Sequence, residues 1–202
     1  MTERPRRRIA LFGGTFDPVH IGHLCVAESV RQSAALDRIL FVPTHIHPVK
    51  TRERIAAPGH RLAMLRLAIA GNPALDLSDA EVNRSEVSYT VDTLRHFRAT
   101  LPADEVDLFF LMGADNLGEF GTWREPEAIV SLCRILAVGR PGHAAPDVPE
   151  RFREAVDRVE APSLDISSTG IREQVSQGRS VRYLVPDPVW RYIAAEGLYR
   201  EG

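Results

Sequence analysis

Four stretches of the chain are apolar at almost every position: residues 9–12, 39–42, 106–112 and 135–138. None alternates cleanly between apolar and polar positions, so they do not read as strands with one wet face. Runs this rich in Ile, Leu, Val and Phe fit strands covered on both sides, as in a parallel sheet with helices on each face. A weaker strand is expected over residues 75–78. Between these runs the spacing becomes helical. In residues 60–70, Leu62, Leu65 and Ile69 share a face that Leu67 and Ala68 broaden, while Pro58 suits a first turn and Gly71 a C-terminal stop. Further helices are expected over residues 21–34, 90–100, 126–132, 168–177 and 188–195. Strand and helix alternating in this way predict an α/β fold with a doubly wound, mostly parallel sheet.

The stretch 141–149 reads as a surface loop, with no second core-sized segment beyond it; the rest of the C-terminal part is expected to add a last strand and two helices. The expectation is therefore a single domain over residues 1–202, with 1–7 as a flexible tail. Composition acts mainly by exclusion. The chain is 44% hydrophobic and 26% charged with a formal net charge of -2, an ordinary globular balance that gives no support for binding nucleic acid. No run approaches the roughly 18 apolar residues of a membrane span, and the apolar run after the basic cluster at Arg4 to Arg8 is too short for an export signal. No membrane partner and a cytoplasmic location are the expectations; oligomeric state, a homo-oligomer included, is left open. Cys25 and Cys133 stand in apolar surroundings outside any CxxC pair and are expected to be buried free thiols. Lys50 is the only lysine, which later excludes several motifs.

The first candidate for chemistry is Gly13-Gly14-Thr15-Phe16-Asp17-Pro18-Val19-His20-Ile21-Gly22-His23. It follows a predicted strand and precedes a predicted helix, at the carboxyl end of the sheet where ligands bind in open α/β folds. Glycines there let backbone N–H groups approach a phosphate, and a helix N-terminus favours negative charge. His20 and His23, three positions apart on a first helical turn, present two imidazoles to the same side as donors for a phosphate chain. The competing readings are a packing histidine with a helix cap, or, with His45 and His47, a zinc set on loose spacing. Asp17 reads as a loop-shaping residue that hydrogen-bonds its own turn.

The second candidate is Ile166-Ser167-Ser168-Thr169-Gly170-Ile171-Arg172. Hydroxyl residues at a predicted helix start, with a guanidinium one turn in, again suit an anion. A simple Ser/Thr N-cap is the alternative.

His20-Ile21-Gly22-His23 matches the HIGH signature of class I aminoacyl-tRNA synthetases and the nucleotidyltransferases similar to them. A single lysine cannot supply the synthetases' KMSKS loop, and Lys50 follows Val49 and not the glycine of a P-loop. Further blocks extend the resemblance: Arg61-Leu62-Ala63-Met64-Leu65, Ser88-Tyr89-Thr90-Val91-Asp92-Thr93, Met112-Gly113-Ala114-Asp115-Asn116, Trp123, Arg140-Pro141-Gly142 and Arg182-Tyr183-Leu184-Val185-Pro186. Together they resemble the bacterial nicotinate-mononucleotide adenylyltransferases, a family of HxGH nucleotidyltransferases. That resemblance implies a Rossmann-like fold and adenylyl transfer from ATP to nicotinate mononucleotide in NAD biosynthesis, with Mg2+ carried on ATP. It implies that His20, His23 and Arg172 are catalytic, and that Gly13, Gly14, Thr15 and Phe16 line the ATP site. Gly113, Asp115, Ser167, Ser168 and Thr169 would complete that site. Tyr89, Thr90, Asp115, Trp123 and Lys50 would meet the acceptor. Here the helix start at Ser88 to Thr90 offers N–H groups to a carboxylate, and Trp123 a ring to stack on a pyridinium. The chain departs from the family at His47-Pro48-Val49-Lys50, where a Pro-Pro-His-Lys or Pro-Pro-His-Arg run is common; an exposed loop is the competing reading. Rival functions are adenylyl transfer to nicotinamide mononucleotide or phosphopantetheine, and a non-catalytic nucleotide-binding regulator.

Overall fold

The computed structural model describes residues 5–45, 55–84, 87–139 and 146–200. Among them, strands β1 (Arg7–Gly14), β2 (Arg38–Pro43), β3 (Leu75–Leu77), β4 (Val106–Gly113), β5 (Arg134–Gly139) and β6 (Val156–Glu160) form one sheet. Their order is β3-β2-β1-β4-β5-β6, and every pairing is parallel. Helices α1 (Ile21–Ser33), α2 (Pro58–Ile69), α3 (Thr90–Thr100), α4 (Pro126–Leu132), α5 (Ser168–Ser176) and α6 (Asp187–Ala195) connect and flank the strands. The sheet is the doubly wound one expected, and its last strand and two helices lie in the C-terminal part.

The apolar runs are continuous because each strand feeds two cores. Along β4, Phe109 and Leu111 pack with α1, α2, α5 and α6 on one face. Leu108, Phe110 and Met112 point the other way, toward α3, α4 and the irregular turns after β4. Successive side chains alternate across a strand, so a strand buried on both faces needs an apolar residue at nearly every position.

The differences from expectation have local causes. Arg7, expected in a flexible tail, belongs instead to β1 and pairs with Val106. A 3₁₀ helix over Ala114–Thr122 was not expected. It buries Ala114, Leu117 and Phe120, a spacing of three that a search for 3.6-residue periodicity passes over. Cys133 is buried as expected, but Cys25 is only half-buried, since the buried positions of α1 are Ala27 and Val30. Of the 141–149 loop, 141–145 lie outside the described residues; 146–149 have no regular structure, yet Val148 is buried in the core under α3 and α4.

The strand order reverses direction between β1 and β4. Connections from these neighbours leave to opposite faces, which opens a crevice at their carboxyl ends. Gly13-Gly14 ends β1 and Gly113 ends β4, so the first candidate loop and the Gly113 to Asn116 block both open at that point.

Candidate active site

Helix α1 begins immediately after the loop that leaves β1. His20 is its N-cap, and its Nδ1 accepts from the His23 backbone N–H at 3.4 Å, while His23 Nδ1 accepts from the His20 backbone N–H at 3.3 Å. This is a capping box made of two histidines. It fixes the tautomer: with both Nδ1 atoms accepting, a neutral imidazole carries its proton on Nε2, the side away from the backbone. The two rings stack at 3.7 Å between centroids, and Phe16 meets His23 edge-on at 5.0 Å. Burial pushes His20 down to about 4. Burial first, and the neighbouring His20 second, push His23 down to about 3. Both are therefore neutral donors at pH 7. The capping reading and the donor reading are compatible, because they use different nitrogens.

The loop between β1 and α1 is held from several sides. Phe16, at φ 50, places its ring in the core and over Gly14. A Cβ on Gly14 would stand 2.8 Å from that ring, so the position requires glycine. Phe16 can thus offer a ligand only its backbone. Arg61 of α2 is 1% exposed and donates to the Thr15 carbonyl at 2.8 Å and the Ala56 carbonyl at 3.2 Å. Asp17 does not bond its own turn as expected. Its Oδ1 accepts from the Ala56 N–H at 3.1 Å and the Tyr199 hydroxyl at 2.7 Å, so tertiary contacts shape the loop.

Helix α5 brings the second motif directly onto the first. Ser167 is the N-cap, accepting from the Gly170 N–H at 3.1 Å. Ser168 Oγ donates to the Pro18 carbonyl at 3.0 Å. Arg172 donates to the Asp17 carbonyl at 2.9 Å and to Thr169 Oγ1 at 3.3 Å. The first N–H of α1, on Ile21, bonds the Leu184 carbonyl at 2.9 Å, so that part of the helix N-terminus is already occupied.

Across the crevice, Asp115 is exposed just beyond β4, beside Gly113. Tyr89 is the N-cap residue of α3, and its side chain makes no capping hydrogen bond to that helix end. Trp123 is half-buried, its ring 5.5 Å from Phe120. Tyr89 and Trp123 both pack on the core between α3 and α4. Arg124 stacks over the Tyr89 ring at 4.6 Å, a neighbour that sequence reading did not single out. Beneath this turn, buried Glu81 accepts from Thr93 Oγ1 at 2.5 Å, and burial pushes its carboxyl up. The His45 backbone N–H donates to Ser88 Oγ at 3.1 Å. His47 and Lys50 lie outside the described residues. Arg61 and Tyr199 were missed as site residues because their partners Thr15 and Asp17 are far away in sequence, and Glu81 because the burial of its carboxyl leaves no mark in the sequence.

Among the described residues, no group of three or more His, Cys, Asp or Glu side chains is placed to hold a metal ion. No helix there is long and apolar enough to cross a membrane. A separate cleft of about 530 Å³ opens near the starts of β4 and β5, but its arginines are engaged, Arg98 with backbone carbonyls and Arg134 with Asp157.

Comparison with known proteins agrees with this geometry. A family model described as cytidylyltransferase-like matches residues 11–174, from the middle of β1 into α5. The chain therefore belongs to the cytidylyltransferase-like nucleotidyltransferases. A protein of Roseiflexus sp. strain RS-1 named probable nicotinate-nucleotide adenylyltransferase is 46% identical, over 95% of this chain and 98% of its own. One of the same name from Desulfitobacterium hafniense strain Y51 is 41% identical, over 97% of each. Within the class, the chain is a member of the nicotinate-nucleotide adenylyltransferase family. The fold is also that of the Plasmodium falciparum nicotinic acid mononucleotide adenylyltransferase complexed with APC, with a TM-score of 0.75, 20% identity, and coverage of 96% of this chain and 98% of that one.

Proposed function

We propose that this protein transfers the adenylyl group of ATP to nicotinate mononucleotide, forming deamido-NAD and releasing pyrophosphate, as a step of NAD biosynthesis. The observation that carries this reading is the direct bonding of the two phosphate-binding motifs. Ser168 to Pro18 and Arg172 to Asp17 join segments about 150 positions apart at the point where the strand order reverses.

In this reading a triphosphate lies between the start of α1 and the start of α5. His20 and His23 donate from Nε2 to the α-phosphate and its bridging oxygen, and the Ser168 backbone N–H at the start of α5 joins Thr169 and Arg172 in holding the β- and γ-phosphates. Gly13, Gly14, Thr15 and the Phe16 backbone allow close approach, while Gly113 and Asp115 face the nucleotide from β4. The acceptor's 5′-phosphate attacks the α-phosphorus in line: an O–P bond forms, the bond to the β-phosphate oxygen breaks, and the pair leaves on pyrophosphate. No enzyme nucleophile is involved; alignment and charge stabilisation carry the catalysis. The donors facing the crevice are imidazoles, hydroxyls and a guanidinium, a set suited to phosphate rather than to a caged cation. This fits Mg2+ arriving on ATP with phosphate and water ligands, where it would neutralise charge developing on the leaving pyrophosphate.

The acceptor ring lies between Trp123 and the Tyr89–Thr90 start of α3. The Tyr89 side chain does not cap that end, and its N–H groups favour a nicotinate carboxylate over a carboxamide. Pyrophosphate release measured with ATP and each acceptor in turn tests the assignment. Nicotinate mononucleotide should give the highest kcat/KM, ahead of nicotinamide mononucleotide and phosphopantetheine. Preference for either of the others refutes the acceptor, and release with none of them refutes the enzymatic reading.

A further inference from the structure

Tyr199 lies beyond every motif that marks the crevice, yet its hydroxyl donates to Asp17 Oδ1, 182 positions away. A built turn carries it there. After α6 ends at Ala195, Gly197 takes φ +63 and the Leu198 N–H bonds the Ile193 carbonyl at 3.1 Å, the reversal that glycine permits at a helix end. Tyr199 itself stands at φ +64, a conformation that a residue with a side chain adopts only when its surroundings hold it. The surroundings here are the phosphate loop.

Asp17 is fully buried, and its two oxygens have different neighbours. Oδ1 takes both the Tyr199 hydroxyl and the Ala56 N–H. Oδ2 faces the Arg172 Nη1 at 3.7 Å, beyond hydrogen-bond distance, while the same nitrogen bonds the Asp17 carbonyl at 2.9 Å. A buried carboxylate beside a guanidinium tends toward a close two-oxygen pair. The phenol opposes that by holding Oδ1, together with the Ala56 N–H.

We infer that Tyr199 is a positioning residue for the nucleotide: by fixing the Asp17 carboxylate it sets where the Arg172 guanidinium stands at the triphosphate grip. The inference rests on the reading that this crevice binds ATP. Without the hydroxyl, the carboxylate rotates toward Arg172 and draws it away from the phosphates. The turn after α6 is then part of the nucleotide site although it carries none of its motifs.

The test compares Tyr199→Phe with the unmodified protein, using pyrophosphate alone as a calorimetric probe and steady-state kinetics with both substrates. Pyrophosphate affinity should fall and KM for ATP should rise about tenfold, the size of one hydrogen bond to a charged group, with KM for nicotinate mononucleotide within about twofold. In an Arg172→Gln background the same substitution should add no further loss, since it acts through that guanidinium. Unchanged pyrophosphate affinity, an equal rise in both KM values, or full additivity with Arg172→Gln overturns the inference. If Tyr199→Phe does not fold, Asp17→Asn serves, and unchanged pyrophosphate affinity in it overturns the inference equally. Because pyrophosphate binding needs no acceptor, these results stay separate from failure of the acceptor assignment, which shows as an unmodified protein without turnover.

Discussion

At the scale of single residues, the two histidines do two jobs with different nitrogens. Each Nδ1 closes the capping box, and each Nε2 is left to carry the proton. Burial holds both imidazoles neutral well below the usual histidine range, and this links folding to pH. Between pH 6.5 and about 4 the unfolded chain binds protons that the folded His20 and His23 do not, so stability must fall as pH falls through that window. The expected slope is about 1.4 kcal/mol per pH unit for each imidazole. Glu81 acts in the opposite sense, because its raised folded pKa costs stability as pH rises past the ordinary carboxylate range. The pair is therefore isolated by difference. A His20→Asn/His23→Asn variant, whose amide oxygens can replace the Nδ1 acceptors, should show a flatter decline than the unmodified protein in urea titrations from pH 7 to pH 4.5. Parallel declines would mean that the imidazoles titrate normally in the folded state.

At the scale of elements, the β1 loop shows which glycine is dictated by packing. Gly13 and Gly14 are equivalent in the sequence, as two glycines able to approach a phosphate. In the structure a Cβ on Gly13 would meet Phe110 at an ordinary 3.5 Å, whereas one on Gly14 would meet the buried Phe16 ring at 2.8 Å. Gly14→Ala should therefore destabilise the fold by about 1–3 kcal/mol, the usual range for overpacking a core. Gly13→Ala should change stability by less than about 1 kcal/mol. Denaturation midpoints of the two variants decide this, and equal midpoints would show that Phe16 swings aside. The first five strands, the α-helices and both family motifs were legible because each is written locally, in a run, a cap or a glycine pair. The role of Asp17 was not, since its partners come from the segment before α2 and the turn after α6. The 3₁₀ helix after β4 was legible only at a period of three.

At the scale of the whole molecule, the sheet gathers donors from α1, α5 and the ends of β1 and β4 into one crevice. No described cluster cages a cation. If Mg2+ arrives on ATP as proposed, a chelator such as EDTA should abolish turnover while leaving the Tm of the free protein unchanged. It should also remove most of the thermal stabilisation that Mg-ATP confers, about 2.7 kcal/mol at a hundredfold excess over Kd. A large fall in the Tm of the free protein on chelation would instead point to a structural metal.

The sequence by itself determined the α/β class, the position of β1 to β5 and of α1 to α6 to within a residue or two, and the two motifs of the family, but not the position of β6 or of the 3₁₀ helices. These follow from side-chain periodicity and from chemistry written within a dozen residues. Only the tertiary structure decided that the motifs bond to one another, that the imidazoles are neutral with Nε2 bearing the proton, and that Arg61, Asp17 and Tyr199 brace the loop. Those properties depend on burial and on partners up to 182 positions apart, which spacing along a chain does not encode.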